Sequence, residues 1–218
     1  MTHPMGPSGD SKSPFGHLFD GRGPHIDPAS GVAVVPDGSR IVVAAAPFLR
    51  ATHAVLNSEQ PGAWAAQFHA GGVAAGQAFA TAVDRELTRL GQPVLSDQPL
   101  DACLALAARH FTTQGWGLLQ ADLSDAPEHG LVIARLRHSS FVAALGEGDG
   151  FADALPAGFL QGFLEYVSGQ PLGCLEIGCA RVGAPHCTFV ITSADRLDPL
   201  RPLLGLKAAD EIIAQLKS

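Results

Sequence analysis

Residues 158–189 read GFLQGFLEYVSGQPLGCLEIGCARVGAPHCTF and join a glycine-notched helix to a cysteine-bearing hairpin. Phe159, Gly162, Phe163 and Tyr166 recur at three-to-four-residue spacing, the period of one helix face. Gly158 and Gly162 stand one turn apart, where the missing Cβ lets a second backbone come close, and Gly169 is placed to cap the helix end. Beyond it the chain turns strand-like: Leu172, Cys174 and Glu176 alternate with Leu175, Ile177 and Cys179, and Gly183-Ala184-Pro185 supplies a turn before a second strand from Cys187. Folded about Gly183, this hairpin sets Cys179 opposite Cys187.

Cross-strand neighbours have Cβ atoms roughly 4.5 to 5.5 Å apart, close enough for two thiolates to share one metal. Glu176, three residues before Cys179, offers an oxygen. Strict alternation points Glu176 and Cys179 to opposite faces of the strand, so a shared site requires a bulge at Gly178. The alternative is that Cys179 and Cys187 are a small apolar pair in a reduced sheet.

With 218 residues, 46% of them hydrophobic, one domain can bury roughly 70% of its unfolded surface and needs neither disulfide nor metal to fold. A formal charge of −7 with only 14 scattered Lys and Arg argues against a nucleic-acid partner, since phosphate binding needs clustered cations. The start lacks the pattern of a signal peptide and no apolar run reaches the roughly 18 residues of a membrane span. Four unevenly placed cysteines, at 103, 174, 179 and 187, fit a reducing cytoplasm.

Residues 1–29 are rich in Pro, Gly, Ser and Asp without periodicity and read as a disordered leader, with His3, His17 and His25 in it. Order is expected from a hairpin turning at Pro36-Asp37-Gly38-Ser39. A helix follows with Trp64, Phe68, Gly72, Ala75 and Phe79 on one stripe, then another over 99–112 with Leu100, Cys103, Leu104, Ala107 and Phe111 inward. Strands follow at 117–123 and 130–137. The GEGDG run at 146–150 lacks the Lys-Ser/Thr of a phosphate loop and carries two acids, so it reads as a connection. There is no nucleophile elbow, zinc-protease helix or dinucleotide fingerprint, and no catalytic residue is assigned. The piece at 193–218 is a helical extension whose Ile212, Ile213 and Leu216 form an apolar face, free to close a chamber, cover a neighbouring subunit or pack on its own sheet.

The run Gly158-x3-Gly162, then Glu176-x2-Cys179-x7-Cys187-x-Phe189, resembles the C-terminal half of the 4VR (4-vinyl-reductase) domain, and in particular the sensory domains of phenol-responsive transcription activators. Gly115-Trp116-Gly117 before a strand, Arg135 to Ser140-Phe141 ending the next, and the glycine-rich helix at 71–76 agree, so the likeness spans residues 30–192. It implies an α+β fold, a twisted antiparallel sheet with helices packed on one face and an apolar ligand chamber between, related to the TRAPP subunits of Golgi transport. It also implies a homodimer and a structural zinc. In the phenol sensors the zinc is held by three cysteines and a glutamate, of which the last three match Glu176, Cys179 and Cys187. The place of the first falls within 151–155, at Asp153, which offers a carboxylate instead; Cys174 and His186 are further donors at hand.

The candidate chamber residues are Trp116, His138, Phe141, Phe159, Phe163 and Tyr166. Aromatic walls with one or two polar groups suit a small apolar ligand, and the same residues would equally serve as plain core. His110 and His138 are the candidate hydrogen-bond donors. The function expected is binding of a small hydrophobic molecule, aromatic or lipid-like, as a sensory or carrier module read by an unknown protein partner. The alternatives are an enzyme or accessory in vinyl-tetrapyrrole reduction and a TRAPP-like scaffold.

Overall fold

The computed structural model describes residues 15, 25–34, 40–42 and 44–218. Residues 1–44 and 45–218 form two units. In the first, β1 (His25–Asp27), β2 (Val32–Val34) and β3 (Arg40–Ile41) make an antiparallel sheet in the order β1-β2-β3. The Asp27 carboxylate turns the chain between β1 and β2 by accepting from Ala29 N at 2.9 Å and Ser30 Oγ at 2.5 Å. The strands of the expected hairpin are therefore present, while its turn at Pro36–Ser39 lies outside the described residues. So does most of the expected leader; its last residues instead carry β1, which an Asp-anchored turn ties into the sheet.

The second unit opens with α1 (Ala46–Glu59), which the periodicity reading passes over although Pro47 marks its first turn. Then come α2 (Ala63–Arg89), α3 (Leu100–Thr113), β4 (Leu118–Asp122), α4 (Ala126–His129), β5 (Val132–Arg137) and α5 (Ser140–Leu145). The quoted stretch supplies α6 (Ala154–Ser168), β6 (Gly173–Gly178) and β7 (Cys187–Thr192), and the chain ends with α7 (Ala194–Leu197) and α8 (Ala209–Leu216). The sheet runs β4-β5-β7-β6, antiparallel throughout. The fold is α+β, as expected.

What sets the layers is the contact between α2 and α6. A Cβ on Gly72 would lie 2.8 Å from Phe159 N, on Gly76 2.7 Å from Phe163 N, on Gly158 2.9 Å from the His69 carbonyl carbon and on Gly162 2.8 Å from that of Val73. Real Cβ atoms do not tolerate such distances. The glycine notch on α6 thus receives the backbone of α2, whose own Gly72 and Gly76 reciprocate. At this spacing α6 lies against the sheet with Phe159, Leu160, Phe163 and Leu164 buried.

The other face of the sheet is covered as well. Ile133, Leu175, Ile177 and Val190 pack against Leu197, Leu200, Ile212, Ile213 and Leu216, so the C-terminal segment folds onto its own sheet. Arg196 fastens it, donating to Thr192 Oγ1 at 2.9 Å and to the carbonyls of His129 and Leu216. Burial on both faces explains why all of β7 is buried and reads as near-continuous apolar sequence. No helix among the described residues is long and apolar enough to cross a membrane.

Gly76→Ala is expected to lower stability by about 1–3 kcal/mol, the range for overpacking a tight interface. Gly71→Ala, five residues earlier on the same helix with nothing within 4 Å of the added methyl, is expected to raise it by up to about 1 kcal/mol through helix propensity. Denaturant midpoints of the two variants check the pair; equal shifts would refute the close-contact assignment.

Candidate ligand and metal sites

The register of β6 on β7 slips between Glu176 and Gly178: Glu176 pairs with Phe189 and Gly178 with Thr188, leaving Ile177 without a partner. This is the bulge that the alternation argument required. It turns Cys179 onto the face that carries Glu176, and the Cys179 and Cys187 sulfurs lie 3.8 Å apart. Asp153, the residue before α6, completes the group. One ligand atom from each of Asp153, Glu176, Cys179 and Cys187 lies within 4.8 Å of the others, and all four residues are buried. Cys174, the other donor on β6, stays outside this group. All four cysteines of the chain are free thiols.

Each carboxylate has one satisfied and one orphaned oxygen. Ser139 Oγ donates to Asp153 Oδ1 at 2.5 Å and Asp153 N to Glu176 Oε2 at 2.9 Å, whereas Asp153 Oδ2 and Glu176 Oε1 are buried without a partner. Buried polar atoms of this kind are rare in folded proteins. Burial raises Asp153 to about 6 and Glu176 well above the carboxylate range, and each acid adds repulsion to the cluster. The Cys187 thiol donates to Cys179, which lowers Cys179 to about 6 and raises Cys187. Ala180 N also points at the Cys187 sulfur, at 3.4 Å. Four anion-forming groups, two with unused oxygens, converge where a cation would relieve all of them.

Two neighbours brace this group. Ser139 caps α5, accepting from Val142 N at 3.2 Å, so one hydroxyl links α5 to Asp153. Arg181, at the hairpin tip, donates to Gly146 O at 3.0 Å and Asp149 O at 2.8 Å and so holds the glycine-rich loop that leads to Asp153. A serine immediately before a helix was the legible signal for the first; nothing local announces the second.

Between α2, α3 and α6 the rings converge on Phe159. His110 stacks on it with centroids 4.8 Å apart and planes 6° apart, and Trp116 meets it edge-on at 5.5 Å. Phe79 lies 4.2 Å from His110, Phe163 lies 6.2 Å from Phe159, and Phe141 reaches Trp116 at 6.1 Å. Four of the six candidate chamber residues, Trp116, Phe141, Phe159 and Phe163, thus share one cluster, joined by His110, Phe79 and Phe111. His138 and Tyr166 do not belong to it. His138 sits in a left-handed turn with φ of 56° after the end of β5 and is exposed. Tyr166 is 37% exposed and its hydroxyl donates to Asp84 Oδ2 at 2.9 Å, bracing α6 against α2 from outside.

A family model for the vinyl-4-reductase (4VR) domain matches residues 132–193, a span that holds Asp153, Glu176, Cys179 and Cys187. The fold is similar to the crystal structure of the phenol-responsive sensory domain of the transcription activator PoxR with phenol, with a TM-score of 0.64, 15% identity, and 97% of this chain and 98% of that chain covered. A vinyl-4-reductase family protein from Methanocaldococcus jannaschii is 15% identical over 71% of this chain and 85% of its own, with a TM-score of 0.46. Among curated proteins nothing matches.

Ser139→Ala removes a helix cap and the partner of a buried carboxylate oxygen, and is expected to destabilise the chain by about 1–3 kcal/mol. Ser140→Ala, one residue on, keeps both of those bonds, loses only an exposed one to the Gly115 carbonyl, and is the control. Comparable losses in chemical denaturation would contradict the bracing role of Ser139.

Proposed function

We propose that this chain, matched by the 4VR domain model over residues 132–193, binds a small hydrophobic molecule, an aromatic one foremost, as a sensory or carrier module. The observation that carries this reading is the Phe159 cluster: rings from three helices and Trp116 face one another around a single imidazole, His110. Such ring pairs are worth only about 0.5–1.5 kcal/mol each beyond their burial. A flat guest that parts them exchanges ring–ring contacts for ring–ligand contacts at small net cost, while His110 offers the guest's hydroxyl a hydrogen bond. The likeness to a phenol-responsive sensory domain along 97% of this chain makes phenol the natural first probe.

In a Trp64→Phe background, where Trp116 is the remaining indole, phenol is expected to change the fluorescence saturably. Its few heavy atoms, at up to about 1.5 kcal/mol each, permit a micromolar dissociation constant. Phe159→Leu and His110→Leu are each expected to weaken binding by about tenfold, one buried contact's worth. A folded protein whose Trp116 emission responds to phenol only linearly would refute the reading.

We also propose that the four-residue group holds zinc as a structural ion. Two thiolates each about 2.3 Å from zinc in a tetrahedron stand about 3.8 Å apart, and the two sulfurs here are 3.8 Å apart; the orphaned Asp153 Oδ2 and Glu176 Oε1 supply the other two corners. Four protein donors leave no open position, which suits a structural rather than a catalytic ion. Bound there, zinc would neutralise the crowded anions and tie β6 and β7 to the start of α6. Elemental analysis of protein never exposed to chelator is expected to give about one equivalent of zinc, and Cys187→Ser to lose it together with thermal stability. Less than about a tenth of an equivalent in the unmodified chain would make the thiols mere packing.

A further inference from the structure

The sheet face that carries α8 has a pocket of its own, about 470 Å³ in volume, between the tip of the β6–β7 hairpin and the segment 205–210 that leads into α8. Arg135, Thr188 and Gly178 are cross-strand neighbours there on β5, β7 and β6. They continue the row beyond Ile133 and Val190, where the coverage by α8 gives out. The pocket therefore opens on the opposite side of the sheet from the Phe159 cluster.

Its chemistry runs against that of the rest of the chain. In a protein of net charge −7, this wall presents Arg135, His186 and Lys207 against one acid, Asp210. Arg135 stands 3.7 Å from Asp122 and Lys207 Nζ donates to Gln215 Oε1 at 3.2 Å, contacts that leave each cation with unused N–H groups. Thr188 is 5% exposed and its hydroxyl has no hydrogen-bond partner among the described residues, although a buried hydroxyl left unpaired costs about 1–3 kcal/mol. Phe151, Ile177, Val182 and Pro185 make the remaining wall apolar. Unspent donors on one side and greasy surface on the other define the complement: an anionic head on an apolar body.

We propose that this pocket binds a small organic acid, its carboxylate received by Arg135, Thr188 and Lys207 and its body by Phe151, Ile177 and Val182. A volume of about 470 Å³ falls within the usual range for small-molecule sites, roughly 300–1,000 Å³. Inorganic phosphate would use the cations and waste the apolar wall; a neutral alcohol would do the reverse.

Titration calorimetry of the full chain with benzoate, 1-naphthoate, benzyl alcohol and inorganic phosphate tests this. At least one of the two acids is expected to bind with a dissociation constant below about 1 mM and at least about tenfold more tightly than benzyl alcohol or phosphate. Lys207→Gln, at an exposed position, and Arg135→Gln are each expected to weaken the acid by about tenfold, and Ala184→Trp to fill the pocket and abolish binding. Phe159→Leu is expected to leave it unchanged. The proposal is overturned if neither acid binds, if phosphate or the alcohol matches them, if Lys207→Gln and Ala184→Trp have no effect, or if Phe159→Leu removes the signal, which would move the acid to the other side of the sheet.

Discussion

Backbone lying directly on backbone between α2 and α6 is the constraint from which the rest of the second unit follows. Gly72, Gly76, Gly158 and Gly162 remove the side chains that would hold the two helices apart. Helix axes normally stand 8–10 Å apart according to the side chains between them, so four glycines in register set the short end of that range. The spacing brings Phe79 of α2 against Phe159 and Phe163 of α6 and leaves one compartment, on the α3 side, where His110 and Trp116 complete the ring cluster. It also fixes where α6 begins, and with it the place of Asp153 relative to the β6–β7 hairpin.

The sheet turns this single helix placement into sites with different chemistry. Toward α6, the strand ends carry thiols and buried carboxylates; toward α8, the same strand ends present Arg135 and Thr188. Period-two alternation would ordinarily assign these roles by counting. The slip at Ile177 interrupts the count on β6 alone, which is how Glu176 and Cys179 come to share a face. Arg181 and Ser139 then bind the loop and helix that flank Asp153 to the hairpin, so that its environment is assembled from segments distant in sequence.

Much of this was legible because local rules agreed with one another. The glycine notch, the Gly169 cap, the facing cysteines and the need for a bulge all follow from spacing within the quoted stretch, and the 4VR resemblance placed Asp153. The failures are equally physical. On α6, buried residues occur nearly all round, from Pro156 to Val167, and a helix apolar on every side gives no periodic sign of which face looks where; Tyr166 shares a stripe with Phe163 yet faces out to Asp84. His138 was extrapolated along β5, but the strand ends at Arg137 and a positive φ throws the next side chain into solvent. α1 has no buried residue at all, so its pattern was too weak to register. That the extension at 193–218 folds back on its own sheet depends on Arg196 meeting carbonyls of α4 and α8, a long-range matter that no window of sequence contains.

The unpaired Ile177 has a consequence for how relatives of this chain can diverge. Because the face on which Cys179 emerges depends on parity, a single inserted or deleted residue between Glu176 and Cys179 would rotate the sulfur to the α8 side and carry Arg181 with it. Substitutions there are absorbed one at a time; changes in length are not. The interval of two residues between the glutamate and the cysteine is thus a ruler whose graduation the bulge has set, and homologues that keep the group should keep the interval even where every other residue of the hairpin has drifted.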